Sequence, residues 1–440
     1  MKSDDALLAA WEETLARKGD APAIFDTRGE VLRTFREVED RARDLESQIE
    51  PSGSTRVYPI DIGNHPDWPS HLLAAFRRKL GALPLEGSVT PQQRAAALAI
   101  CQGDWGERPP VLLKLTSGTT DAPRAIRFRS EQLVADCTQI CDTMEIGPDD
   151  LNFGVIPLSH SYGFSNLVTP LLVRGVPLVV SRDRMPRAVL DDLARTGATV
   201  FPGMPVFYQA FCEMENPPAL PKLRLCVSAG APLPLEIARK FRERFQRSIH
   251  SFYGSSECGG ICYDREAHLL EAGFVGPPMR GVELELLEPE GQASRIRVRS
   301  AAAGDGYFPE PDEDKLGGGC FTPDDLLSPT EEGFRIVGRI SDVINVAGKK
   351  VNPAEVEAEL LRFQGVRAAV VFGLSSTLRN EEVAACVVAG EGVRETELLE
   401  FCRGRLSGWQ VPKRIFFLDE IPVNERGKVS RRELAQRFGA

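Results

Sequence analysis

Positive charge is in short supply. The chain has 53 Lys and Arg against 63 Asp and Glu, a formal net charge of −10. That argues against a nucleic-acid binder or a protein held on anionic membranes, since both need basic surface. No apolar run approaches the ~20 residues of a membrane span. The opening MKSDDALLAAWEETL is acidic where a signal peptide needs a basic start and an unbroken apolar core, so a cytoplasmic location is expected. Histidine is scarce: five residues, with no cluster of metal-ligand spacing. The ten cysteines are scattered, and the close pairs Cys137/Cys141 and Cys258/Cys262 lack CxxC spacing. Free, buried thiols in a reducing compartment are the simplest expectation. Internal repeats and low-complexity stretches are also missing.

What is present is an ordinary globular composition, 42% hydrophobic, spread over 440 residues. That length exceeds what one core usually serves, so two or more domains are expected. Apolar runs such as VLLKL, LNFGVIPL, VPLVVS, ATVFPGM and LRLCVSAG alternate with helix-like stretches at 130–144 and 235–247, an α/β pattern. KLGGGC (315–320) has the composition of a turn. Beyond Arg339 the pattern changes. Asn352 as N-cap, Pro353 at the first helical position and Glu355 three after the cap announce a helix. RAAVVFGL, EVAACVVAG, a helix near 395–406 and RIFFLDEI follow, giving a small α+β unit. The expected division is 1–340 and 341–440, joined by a short hinge. Residues 403–440 carry nine Lys and Arg against four Asp and Glu. That is a solvated face, or a cationic element brought to an anionic substrate.

Four stretches carry the chemistry. LKLTSGTTDAPRAIRFRS (113–130) places hydroxyls and a glycine between two strand-like segments. A strand–loop–strand excludes the Walker A arrangement, which ends in GK[ST] before a helix. The loop still offers N–H groups and hydroxyls to a phosphate, and Arg124 adds a forked charge. FYGSSECGG (252–260) supplies an aromatic face, two hydroxyls and a carboxylate able to hold a hard cation. GRISDVINVAGKKVNPAEVE (338–357) and IPVNERGKVSRREL (421–434) complete the set. Singly, each also suits a solvated loop; an isolated Gly-Lys is usually just that.

Together, in this order, they resemble the adenylate-forming superfamily of acyl-CoA synthetases, peptide adenylation domains and beetle luciferases. The resemblance extends from RTFREVEDRARDLE to the last helix. It implies a large N-terminal domain of mixed sheets and helices and a small, mobile α+β C-terminal domain. It implies ATP-dependent activation of a fatty or aryl carboxylic acid as an acyl-adenylate. Transfer to the thiol of coenzyme A or carrier-protein phosphopantetheine follows, with Mg2+ as cofactor. A free acyl carrier protein is one implied partner.

By the same resemblance Thr116, Ser117, Gly118, Thr119, Thr120 and Arg124 hold phosphates. Tyr253 stacks on adenine, backed by Gly230, Ala231 and Pro232, with Gly254 and Ser255 beside the nucleotide. Ser256 meets the α-phosphate and Glu257 the magnesium. Asp325, or Asp324 if the frame shifts by one, binds ribose with Arg339. Lys428 bridges the acid's carboxylate and the α-phosphate. PLSHSYGFSNLV (157–168) borders the acid, and His160, Tyr162, Phe164, Asn166, Phe207, Gly254 and Gly260 are pocket candidates. Ser341 is the pivot, and Gly348 and Lys349 follow it into the thiol tunnel.

Three positions depart from the family: Asp121, Arg124 and Ala125 stand where relatives have Gly, Lys and Gly. Asp121 beside a polyphosphate predicts weakened ATP binding. The acid segment has no Asp to grip an α-amino group, which disfavours amino acids. Two alternatives follow: an acyl-adenylate used without coenzyme A, as in β-lactone closure, and a nucleotide-binding homologue without turnover.

Overall fold

The structure is a computed structural model. It describes residues 3–49, 56–116, 124–268, 271–288, 293–376, 380–390, 392–422 and 429–439. The chain forms two compact units. The first comprises 1–285, 297–323 and 329–335, and the second 286–296, 324–328 and 336–440.

The first unit contains an eight-stranded sheet. Its order is Gly259–Tyr263, Ile249–Ser255, Leu225–Ser228, Val200–Gly203, Asn152–Gly154, Leu178–Val180, Pro22–Phe25 and Val31–Thr34. The inner strands pair in parallel and the pairs at both edges antiparallel. Parallel strands are covered on both faces, which is why these segments read as unbroken apolar runs. Leu178, Val179, Phe153, Phe201 and Cys226 are all fully buried. Each expected strand in this half is present, and the helix expected at 130–144 spans Ser130–Met144. The next one, Leu235–Phe245, stops two residues early, because Gln246 turns left-handed at φ 54°.

The second sheet runs Gly306–Phe308, Ala125–Phe128, Leu112–Leu115, Gly81–Pro84, Val57–Ile60. Leu112–Leu115 and Ala125–Phe128 pair antiparallel, so the hydroxyl-rich loop does join strand to strand. Residues 117–123 of that loop lie outside the described residues. Ala125, where the family has glycine, is fully buried in the sheet. The glycine-rich stretch is a hairpin: Leu316–Gly317 pairs Cys320–Phe321 across Gly318 and Gly319, at φ 58° and 77°.

In the second unit, Val366–Ser376 and Asn380–Ala389 form a long hairpin, and Arg414–Phe417 adds in parallel to the latter. Alternation sorts its side chains. Val371, Val383, Ala385 and Val387 meet Val356, Leu360, Leu398 and Cys402 on one face. Val370, Phe372, Leu374, Ala384 and Cys386 meet Leu434 on the other. The helix at Pro353–Leu361 begins as expected, with the Asn352 side chain accepting from the Ala354 N–H. That at Glu395–Arg403 is three residues shorter than expected.

Candidate active site

Parallel pairing in register brings the carboxyl ends of the strands to one edge, where α/β sheets bind ligands. Four candidate segments leave the sheet there. The 157–168 segment follows Asn152–Gly154, and Phe207 follows Val200–Gly203. Gly230 to Pro232 follow Leu225–Ser228, and Tyr253 to Glu257 end Ile249–Ser255. Gly230, Ala231 and Pro232 are exposed, and Gly230 takes φ 86°, a conformation that favours glycine.

The FYGSSECGG stretch is a bent hairpin with a register shift between Tyr253 and Gly254. A Cβ on Gly254 would lie 2.7 Å from the Gly259 carbonyl oxygen, which accounts for that glycine. The Ser255 hydroxyl accepts from the Cys258 N–H at 3.2 Å and shapes the turn. Beyond it, the Ser161 hydroxyl donates to Ser256 Oγ at 2.9 Å. This bond joins the acid segment to the nucleotide segment, 95 residues apart in sequence.

Glu257 is partly buried, and its Oε1 accepts from the Tyr307 hydroxyl at 3.2 Å. Desolvation raises the carboxyl's pKa; bonds from Tyr307 and Ser255 act against that rise. The Arg124 guanidinium stacks 4.1 Å above the Tyr307 ring and lies 3.7 Å from Asp312. Thr116 closes the loop stem: its N–H donates to the Arg124 carbonyl at 2.8 Å and its Oγ1 accepts from the Arg124 N–H at 3.2 Å. Ser117, Gly118, Thr119, Thr120, Asp121 and Lys428 lie outside the described residues. Tyr307 and Asp312 escaped the sequence reading, since neither sits in a motif and only the sheet pairing of Gly306–Phe308 with Ala125–Phe128 brings Tyr307 here.

In the acid segment the His160 ring nitrogen Nδ1 accepts from the Tyr162 N–H at 3.2 Å, capping a short helical turn. The chain continues as two wide π-helical turns, Phe164–Val168 and Pro170–Arg174. Gly163 is obligatory, because a Cβ there would stand 2.1 Å from the Pro157 carbonyl oxygen. The buried Tyr162 hydroxyl is shared between the carbonyls of Gly203 and Val227, both at 3.2 Å. Phe207 packs against Phe201 and Phe211. Asn166 is buried; its amide donates to the Tyr162 carbonyl, and its Oδ1 has no partner among the described residues. The Gly260 N–H donates to Asp136 at 3.1 Å.

The second unit holds the remaining candidates. Asp325 is buried and pairs with Arg339 at 2.7 Å, whereas Asp324 is exposed. Ser341 is exposed in a single helical turn, Ile340–Asp342. Ala347 and Gly348 turn a hairpin at φ 51° and 86°, and the Lys349 ammonium lies 3.6 Å above Trp409. Arg431, inside the last motif, is structural. It donates to Asp342 and Glu357, both at 2.8 Å, and to the Val371 carbonyl at 2.9 Å.

Residues 103–308 match the AMP-binding enzyme family, and residues 355–428 match the AMP-binding enzyme C-terminal domain. The chain belongs to this adenylate-forming family. Feruloyl-CoA synthase of an Amycolatopsis species is 29% identical over 74% of this chain and 70% of its own. The 3,4-dihydroxybenzoate–[aryl-carrier protein] ligase of Bacillus anthracis is 28% identical over 80% and 82%. The ATP-bound MatB structure from Rhodopseudomonas palustris shares the fold, with TM-score 0.85, 23% identity and 99% of each chain covered. The protein is therefore an ATP-dependent acid–thiol ligase, which adenylates a carboxylic acid and passes the acyl group to a thiol. These relatives do not favour lactone closure or a binding-only homologue. Among the described residues no helix is long and apolar enough to cross a membrane.

Proposed function

We propose that this ligase acts in the cytoplasm on an aryl acid rather than a fatty one, with coenzyme A as acceptor. The Ser161–Ser256 bond supports adenylation at this site, because it couples the acid segment to the serine expected at the α-phosphate. The acid segment carries the rings of Tyr162 and Phe164, with the Phe252 ring 5.9 Å from that of Tyr162, and flat aromatic walls suit a flat substrate. Two of the relatives are named for feruloyl and 3,4-dihydroxybenzoate. One relative is named as an aryl-carrier protein ligase, so a free acyl carrier protein is the second acceptor to try.

In the first half-reaction a carboxylate oxygen of the acid attacks the α-phosphorus and pyrophosphate leaves. In the second, the thiol sulfur attacks the acyl carbon and AMP leaves. Positioning and charge stabilisation do most of the work in such transfers. Thr116 to Thr120 with Arg124 cradle the β- and γ-phosphates. Tyr253 stacks on adenine against Gly230, Ala231 and Pro232, beside Gly254 and Ser255. Asp325, already paired with Arg339, takes the ribose hydroxyls; exposed Asp324 is the weaker choice. Ser256 meets the α-phosphate, and Lys428 offers its charge between carboxylate and phosphorus. One carboxylate, Glu257, suits magnesium arriving with the nucleotide, since that ion usually takes one or two carboxylates plus phosphates. Bound there, it would neutralise phosphate charge. We place the functional boundary at 340/341, with Ser341 as pivot and Gly348 and Lys349 turning into the thiol path.

Pyrophosphate exchange over a panel of aryl and fatty acids tests this. Exchange with aryl acids, reduced on the order of 10²–10³-fold in Lys428→Ala, is expected. Exchange confined to fatty acids, or a fully active Lys428→Ala, would overturn the assignments.

A further inference from the structure

Lys114 is the third residue of the strand Leu112–Leu115, at the stem of the phosphate loop. Alternation sends Leu113 into one core, with Leu83, Ala125 and Phe308. Lys114 therefore points to the opposite face. It is 7% exposed, an unusual place for a lysine. Its ammonium lies 4.8 Å from the centre of the Phe128 ring and 5.1 Å from that of Phe164.

Two rings do not satisfy three N–H donors. Among the described residues Lys114 donates no hydrogen bond and has no carboxylate within ion-pair distance. Asp136 and Glu257 act on it only through space. Asp136 is itself engaged, accepting from the Gly260 N–H at 3.1 Å and from the Ser165 hydroxyl. A nearly buried ammonium with no protein acceptor among the described residues leaves its donors to water or to an acceptor that arrives from outside.

The surroundings say where that acceptor comes from. Phe164 and Gly260 are both walls of the proposed acid pocket, one contacting the Lys114 ammonium and the other bound to Asp136. Asn166, two residues beyond Phe164, has a buried Oδ1 without a partner among the described residues. A charged donor left open on an apolar wall is how a pocket fixes orientation and selects a substrate. We propose that the acid carries a second oxygen acceptor, remote from the reacting carboxylate, and that Lys114 binds it. A phenolic oxygen, a second carboxylate or a sulfonate would all serve. This rests on the adenylation reading above and on the assignment of the acid pocket.

The test uses the full-length enzyme and matched acids in pyrophosphate exchange. The pairs are benzoate against its hydroxy and carboxy derivatives, propionate against malonate, and hexanoate against adipate. We expect one oxygenated acid to exceed its plain partner about 10-fold or more in kcat/KM. Lys114→Met, close in volume, should lower the oxygenated acid's kcat/KM about 10-fold and shrink that gap. Equal use of both members of every pair by the native enzyme would overturn the proposal, whether or not the variant folds. So would a folded Lys114→Met that loses both members by the same factor, which would leave Lys114 as a counter-charge for Asp136. Exchange with no acid at all would instead count against the adenylation reading itself, and the inference would fall with it.

Discussion

Tyr307 and Glu257 show how a single hydroxyl can tune a site. The phenol donates to a carboxylate whose surroundings disfavour its charge. Hydrogen bonds to charged groups contribute about 1.5–3 kcal/mol, so Tyr307→Phe should slow adenylation about 10-fold. The acid KM should hardly move; a kcat unchanged in single-turnover adenylation would refute the role. A second residue-scale case lies away from the site. Asp150 is buried, which raises its pKa, but two bonds from Arg224, one from the Gly147 N–H and one from Thr199 outweigh that. Its carboxyl therefore titrates below the usual range. Such a group stabilises the fold above its unfolded value near ~3.9, and that contribution is lost as pH falls through the lower folded value. Asp150→Asn should cost about 1–3 kcal/mol at pH 7, and the deficit should shrink below about pH 4. Thermal unfolding of both proteins from pH 3 to 7 checks the sign.

At the scale of elements, Asn64 stands out. Its amide donates to the carbonyls of Gly154, Ile156 and Ser181, and its Oδ1 accepts from the Leu158 N–H at 2.9 Å. One side chain thereby ties two strand ends to the first residues of the acid segment. Asn64→Ala removes all four bonds and leaves the Leu158 N–H without this acceptor, which should destabilise the protein by about 2–4 kcal/mol. Because the 157–168 segment loses its anchor, the acid KM should rise while the ATP KM stays near its native value. Equal rises in both would mean general loosening instead. Arg431 does comparable work in the second unit, where it joins the last helix to Asp342 and Glu357. A motif residue can thus hold a fold together rather than touch a substrate.

For the whole molecule, the two half-reactions make different demands, and hinge rotation between domains is the usual means of meeting such demands. Ser341 is exposed in a single turn, free of buried packing that would oppose a change of backbone angle. Proline there restricts that change. Ser341→Pro should depress thioester formation at least about 10-fold more than pyrophosphate exchange. Loss of both steps by the same factor would argue against a pivot at this position.

Much of this was legible in the order of residues. The strands announced themselves because buried parallel strands need unbroken apolar runs, and the Asn352–Pro353 helix start because capping is local chemistry. The four motifs did so because phosphate, adenine and carboxylate each require particular donor types at close spacing. Helix ends were less legible: Gln246 adopts a left-handed cap that nothing nearby demands. The sequence by itself therefore determined the family, the reaction and which side chains are available for it. Only the tertiary structure decided that Lys114 is nearly buried between Phe128 and Phe164, that Tyr307 reaches Glu257, and that Asp325 is buried and pairs with Arg339. The physical reason is range. Local patterns record what a residue does with its neighbours in the chain, whereas burial and long-range pairing depend on which distant segments the sheets bring alongside.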